Sequence, residues 1–187
     1  MSIAVLDNIS LRERIIPISV AQYHRMNELG VISTKTELIE GVILEKMSKS
    51  PLHTYLIHLL HDFFVQHLSG DYLIRKADSL TLIHSEPEPD ISIVKGRLVD
   101  FKTAHPVYAE LVIEVAVSSL EIDRVKTSIY ALANLPEYWI VIPTQQQIEV
   151  YSQPQQGKYQ AVQIYKDAEK IETIAGLVFD LRTIFLD

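Results

Sequence analysis

AELVIEVAVSSLEIDRVKTSIYALANLPEYWIVIP, residues 109–143, holds two apolar runs separated by a segment with helical spacing. The runs at 109–117 and 137–143 are rich in Val and Ile and nearly unbroken, the pattern of strands covered on both faces. Between them a helix is expected from Leu120 to about Ala133, with Ser118 or Ser119 available to cap it. Strand, helix and strand in that order imply a right-handed crossover joining parallel strands.

Upstream, EPEPD (86–90) breaks regular structure at Pro87 and Pro89 and delivers Asp90 to the start of a strand, ISIV (91–94). Two short strands are expected before it, Tyr72–Arg75 and Leu80–Ile83. Ser50 and Pro51 form a helix start, and Leu52, Tyr55, Leu56, Leu59, Leu60, Phe63, Phe64 and Leu68 follow at the spacing of a core-facing helix. Glu37–Met47 reads as a strand bent at Gly41, Ile18–Gly30 as a short amphipathic helix, and residues 1–16 as a loosely attached arm. Downstream, Gln147–Tyr151 and Tyr159–Ile164 read as a hairpin around QPQQGK, and GLVFDLRTIFL (176–186) as a strand with a short helical end. The whole predicts one α/β domain spanning 1–187, its body at 17–187, with a central mixed sheet flanked by helices.

Composition narrows the function classes. With 187 residues and 48% hydrophobic content the chain can build a continuous core, so a disordered or fibrous protein is excluded. Zero cysteines exclude a disulfide framework and any thiolate metal site, leaving oxygen or imidazole donors. The first residues, MSIAVLDNISLRERIIPISV, carry neither a basic region nor a long apolar core, and no apolar run approaches a membrane span. A cytoplasmic protein is expected. The formal charge of −7 argues against a protein that coats nucleic acid with a basic surface, but not against an enzyme meeting it through a few cations at a local site.

Glu114 is the odd residue in LVIEVAV. Burying a lone carboxylate there costs several kcal/mol, so it requires a partner. Asp90 lies 24 residues earlier, at the head of the preceding long strand. Two acids on adjacent strands form a hard oxygen site suited to Mg²⁺ or Mn²⁺. The helix after Glu114 carries Asp123 and Lys126 at i, i+3 spacing and Tyr130 one turn on, so Lys126 can return across the strand end. Without metal, an ion pair of Glu114 with Lys126 or Arg124 is the expected state.

These motifs carry a resemblance. Pro89-Asp90 followed by Glu114-Val115-Ala116 resembles the PD-(D/E)XK nuclease superfamily. ELIEGVILEKMSKSPLH, EPEPDISIVKG, LVIEVAVSSLEIDRVKTSIYA and LPEYWIVI, in that order, look like the Uma-type restriction-endonuclease family, from Glu37 to the C-terminal strand. The resemblance implies a restriction-endonuclease-like core, a Mg²⁺-dependent (or Mn²⁺-dependent) site, a DNA substrate and a homodimer. It implies metal binding by Asp90, Glu114 and the Val115 carbonyl. It also implies Lys126 as the catalytic lysine, in place of the usual lysine that would fall at Ala116, and Glu37 as an acid near the site. Val117 stands where the family pattern leads one to expect a polar or acidic residue.

Plainer readings stand beside these. Asp90 serves equally as a strand cap, and Asp123 and Arg124 read as solvent-facing or capping groups. His53, His58, His61 and His67 share a helix without HExxH spacing or converging ligands, so no zinc site is expected, though the resemblance lets His53 face the active site. Tyr138 and Trp139 read as core. The alternative in function is a non-catalytic, dimeric interaction or regulatory domain that keeps the nuclease fold.

Overall fold

The computed structural model describes residues 9–68 and 70–185. Half of the expected N-terminal arm, 1–8, lies outside the described residues. The rest opens with a single helical turn, α1 (Ile9–Arg12), followed by α2 (Val20–Glu28). Ser19 caps α2 reciprocally: its Oγ accepts the Gln22 N–H at 3.2 Å, and Gln22 Oε1 accepts the Ser19 N–H at 2.8 Å. Tyr23 is the apolar residue of α2 that is fully buried, while Leu29, expected on the same face, is exposed.

The single bent strand expected over Glu37–Met47 is instead a complete hairpin, β1 (Thr36–Ile39) and β2 (Val42–Glu45), with Leu38 opposite Ile43. Its two-residue turn, Glu40-Gly41, has φ of 48° and 77°, the left-handed pair that matches the strand twist. A Cβ on Gly41 would stand 2.4 Å from Pro17 Cβ, so the glycine also lets the N-terminal segment cross the turn. β1 is tied to the proline-rich segment, since Leu38 and Glu86 exchange both main-chain hydrogen bonds.

α3 (Pro51–His67) starts where expected, with Ser50 Oγ accepting the His53 N–H at 3.2 Å. Its buried stripe is Leu56, Ile57, Leu60 and Phe64; Leu52 and Tyr55, expected inside, are exposed, and from the first turn it is His53 that lines a cleft.

The central sheet has six strands, β3 (Tyr72–Lys76), β4 (Ile91–Lys95), β5 (Leu111–Val115), β6 (Glu137–Ile142), β7 (Gln147–Gln155) and β8 (Lys158–Lys166), adjacent in chain order. All neighbours are antiparallel except β5 and β6, which α4 (Leu120–Leu132) joins as the expected crossover. Leu80–Ile83 is not a strand. Leu80 and Leu82 donate to the Pro87 and Ser85 carbonyls, but Pro87 has no N–H to return, so a ladder cannot form. The last hairpin is longer than expected, turning at Gln156-Gly157 alone. Pro154 is tolerated within β7 because it lies beyond Ser152, the last residue paired with β6. β9 (Lys170–Glu172), unforeseen in the sequence, pairs with β10 (Val178–Asp180), and α5 (Arg182–Phe185) ends the described chain.

Helices cover both faces of the sheet. α3, α5 and Phe179 pack on Ile93, Ile113, Trp139 and Val141; α4 packs on Val112, Ala116, Tyr138 and Ile140. Alternation along β5 thus turns Leu111, Ile113 and Val115 toward α3, and Val112, Glu114 and Ala116 toward α4. Among the described residues no helix is long and apolar enough to cross a membrane.

Candidate active site

β4 and β5 run antiparallel with Ile91 opposite Ile113, and continuing that register by one residue sets Asp90 opposite Glu114. The two acids lock each other in place. The Asp90 N–H donates to Glu114 Oε2 at 3.2 Å, and the Val115 N–H donates to Asp90 Oδ2 at 2.9 Å. Asp90 thereby completes the ladder where β4 has ended, with a carboxylate in place of a carbonyl. Both side chains line one cleft of about 340 Å³ at this end of the sheet.

α4 supplies the cation. Lys126 Nζ lies 3.0 Å from Glu114 Oε1 and 3.1 Å from Glu37 Oε2, and all three groups are buried. Glu37 reaches the cleft because β1 is stitched to the segment holding Glu86, and its Oε2 also accepts the Glu88 N–H at 3.4 Å. Tyr130, one turn beyond Lys126, donates its hydroxyl to Glu114 Oε1 at 3.3 Å. Burial pushes the Glu114 carboxyl well above the usual range, and the Lys126 ammonium only partly offsets this. For Lys126 burial works against the charge, but Glu114 and Glu37 outweigh it and hold the ammonium above its ordinary value. Arg124, the other partner considered for Glu114, pairs instead with buried Glu149 on β7.

Sequence reasoning misplaced Asp123. It is neither solvent-facing nor a simple cap but 3% exposed, on the inward face of α4 three residues before Lys126. Turning Lys126 inward carries Asp123 with it. Ser119, expected to cap α4 with its side chain, donates its hydroxyl to Asp123 Oδ2 at 2.5 Å. Burial raises Asp123 to about 6, with the Ser119 hydrogen bond opposing the shift. A carboxyl whose folded value lies above its unfolded 3.8 favours folding only while protonated, and this contribution is lost as pH rises through about 6. Asp123→Asn is therefore expected to stabilise the protein at pH 8 by about 3 kcal/mol, and to leave it unchanged below about pH 4, in paired thermal melts.

His53, admitted only through the resemblance, does reach the site: Nε2 lies 2.9 Å from Asp90 Oδ2. Its Nδ1 is buried with no hydrogen-bond partner among the described residues. Lys49, not singled out in the sequence, places Nζ 3.5 Å from Asp90 Oδ1. Lys49 leaves no signal in the sequence beyond its nearness to the Ser50-Pro51 helix start, and His53 leaves one only through the resemblance.

The donor set suits a hard divalent cation. Asp90 Oδ2 and Glu114 Oε1 each hold two donors, so their lone pairs are used. Among the described residues Asp90 Oδ1 meets only the distant Lys49 ammonium, and Glu114 Oε2 holds one N–H, which leaves acceptor capacity on both acids. The Val115 carbonyl accepts the Val117 N–H at 3.1 Å and keeps one lone pair. Among the described residues no three His, Asp or Glu side chains are grouped to hold a metal. Mg²⁺ commonly uses one or two carboxylates with waters and substrate oxygens, so two acids fit it. Charge points the same way. Glu37, Glu45, Glu88, Asp90, Glu114 and Asp123 line the cleft against Lys46, Lys49 and Lys126, a formal excess of three negative charges.

A putative nuclease belonging to DUF820 from Anabaena variabilis ATCC 29413 has a solved structure that is similar to this fold. It gives a TM-score of 0.73 at 17% identity, over 90% of this chain and 98% of that chain. That likeness establishes a nuclease-like fold, a six-stranded mixed sheet packed against helices. No curated protein matches the chain. The family model described as "Putative restriction endonuclease" matches residues 20–182, from the start of α2 to that of α5, and the chain belongs to this family, Uma2.

Proposed function

We propose that the protein is a Mg²⁺- or Mn²⁺-dependent endonuclease that hydrolyses phosphodiester bonds in DNA. The observation that carries the reading is the register match of Asp90 and Glu114 on neighbouring strands, with a buried ammonium, Lys126, bonded to the second acid. Membership of a nuclease family supports a nucleic-acid substrate.

Asp90 and Glu114, with the Val115 carbonyl, would hold the cation. A bound divalent ion lowers the pKa of coordinated water and polarises a phosphoryl oxygen. The remaining work falls to side chains. Lys126, held charged by Glu114 and Glu37, orients the attacking water and offsets negative charge as it grows on the phosphate. Glu37 gives Lys126 a second carboxylate partner, at 3.1 Å. His53 keeps Asp90 Oδ2 occupied so that Oδ1 faces the cleft. The cleft's formal negative excess works against a phosphodiester, and a loaded cation would offset it.

The test is nicking of supercoiled plasmid DNA with Mg²⁺, with Mn²⁺, and with a chelator. Divalent-dependent nicking is expected. No nicking, or equal nicking with the chelator, rejects the reading.

One observation bears on the dimeric part of the second reading, a non-catalytic interaction module. β8 is a nine-residue edge strand without proline, and Val162 and Ile164 are exposed on it. Sedimentation of the purified chain measures this, and dimerisation is compatible with either function.

A further inference from the structure

We infer that Lys49 is a phosphate-binding residue under cation control: its ammonium occupies the position beside Asp90 that a divalent ion takes, and passes to the DNA backbone when the ion binds. The inference rests on the reading of Asp90 as a cation ligand.

Three observations carry it. First, the hydrogen bonds to Asp90 are unevenly shared. Oδ2 is occupied by the Val115 N–H and His53, both at 2.9 Å, whereas among the described residues Oδ1 meets only Lys49 Nζ, at 3.5 Å. That distance is an ion pair without a proper hydrogen bond. Second, Asp90 is fixed and Lys49 is not: their side chains are 9% and 44% exposed. Lys49 sits in residues 46–50, which have no regular secondary structure between β2 and α3. The segment is held at its ends, where the Lys46 N–H donates to the Lys35 carbonyl at 2.9 Å and Ser50 caps α3. Third, the other two ammoniums in the cleft are committed. Lys126 is buried between Glu37 and Glu114, and Lys46 Nζ bonds Glu88 Oε2 at 2.5 Å.

A divalent ion held by Asp90 would need the acceptor capacity left on Oδ1, and its charge would repel the Lys49 ammonium. The ammonium then leaves on its flexible stem for the rim of the cleft. There it is free to meet a phosphate next to the one being cut, and it restores positive charge where DNA must approach. Lys49 would thus couple cation loading to DNA binding.

The test compares wild type, Lys49→Met and Lys49→Arg as full chains. Mn²⁺ affinity is read by calorimetry, and binding of a short DNA duplex is read in Ca²⁺ across a salt series. Lys49→Met is expected to bind Mn²⁺ at least about threefold more tightly, because the competing charge is gone. Its DNA affinity is expected to fall, with the slope of log K against log salt shallower by about one unit. Lys49→Arg is expected to keep the wild-type slope. Unchanged or weaker Mn²⁺ binding in Lys49→Met, or an unchanged salt slope, overturns the inference while leaving Asp90 as a ligand. Absence of Mn²⁺ binding in wild type overturns both. Lys49 is half-exposed in irregular chain, so folding is not at stake in either variant.

Discussion

Asp90→Asn is expected to eliminate divalent-dependent cleavage, a loss of about a thousandfold or more, while shifting the melting temperature little. The substitution changes charge and almost nothing else. An amide oxygen can still accept the Val115 N–H that Asp90 Oδ2 accepts at 2.9 Å, so the end of the β4–β5 ladder stays closed. What disappears is the negative charge and acceptor strength of Oδ1, which faces the cleft. Removing an outer hydrogen-bond partner of a metal ligand costs about 10–100-fold, so removing a ligand of a two-carboxylate site should cost more. Plasmid nicking and a thermal melt on the same preparation check both halves. A variant that still nicks at the wild-type rate shows that Asp90 is a strand cap and no more.

Lys126→Met is expected to cost stability as well as activity, about 3–5 kcal/mol where both acids are ionised, because it leaves Glu114 and Glu37 buried together without a cation. The pH dependence follows from Glu114. Burial already sets its folded pKa well above the unfolded 4.5, so on folding the carboxyl tends to take up a proton. The penalty is absent while the carboxyl is protonated in both states and grows as pH rises through the folded value. The deficit in Lys126→Met should therefore be smallest near pH 4.5 and grow as pH rises above it, as followed by urea titration at several pH values. A deficit that does not vary with pH would show that Lys126 stabilises through packing of its stem instead of its charge.

The parts of this molecule legible in the sequence are those where one local pattern has one outcome. LVIEVAV is covered on both faces, so a charged residue inside it had to have a partner, and α4 behind it had to supply one. Ser50-Pro51 started α3, and the β5–α4–β6 crossover produced the parallel pair. Reading failed where the outcome depended on a distant segment. Leu80–Ile83 has the composition of a strand, but its neighbour in space is Pro87, which has no N–H to give. Glu40-Gly41 reverses the chain instead of bending it because both residues adopt positive φ, which the Glu does not announce. Asp123 resembled a cap at the head of a helix; its depth follows only from which face of α4 meets the sheet. Lys49 and His53 converge on Asp90 from residues 46–50 and α3, and no spacing in the sequence encodes that meeting.

The most direct test is a crystal of the protein soaked in Mn²⁺ with data collected at an energy where manganese scatters anomalously. If the two acids share a cation, a peak is expected within about 2–2.5 Å of Asp90 Oδ1 and Glu114 Oε2 together. A peak elsewhere on the surface, or none while Lys126 keeps its bond to Glu114, would contradict that sharing.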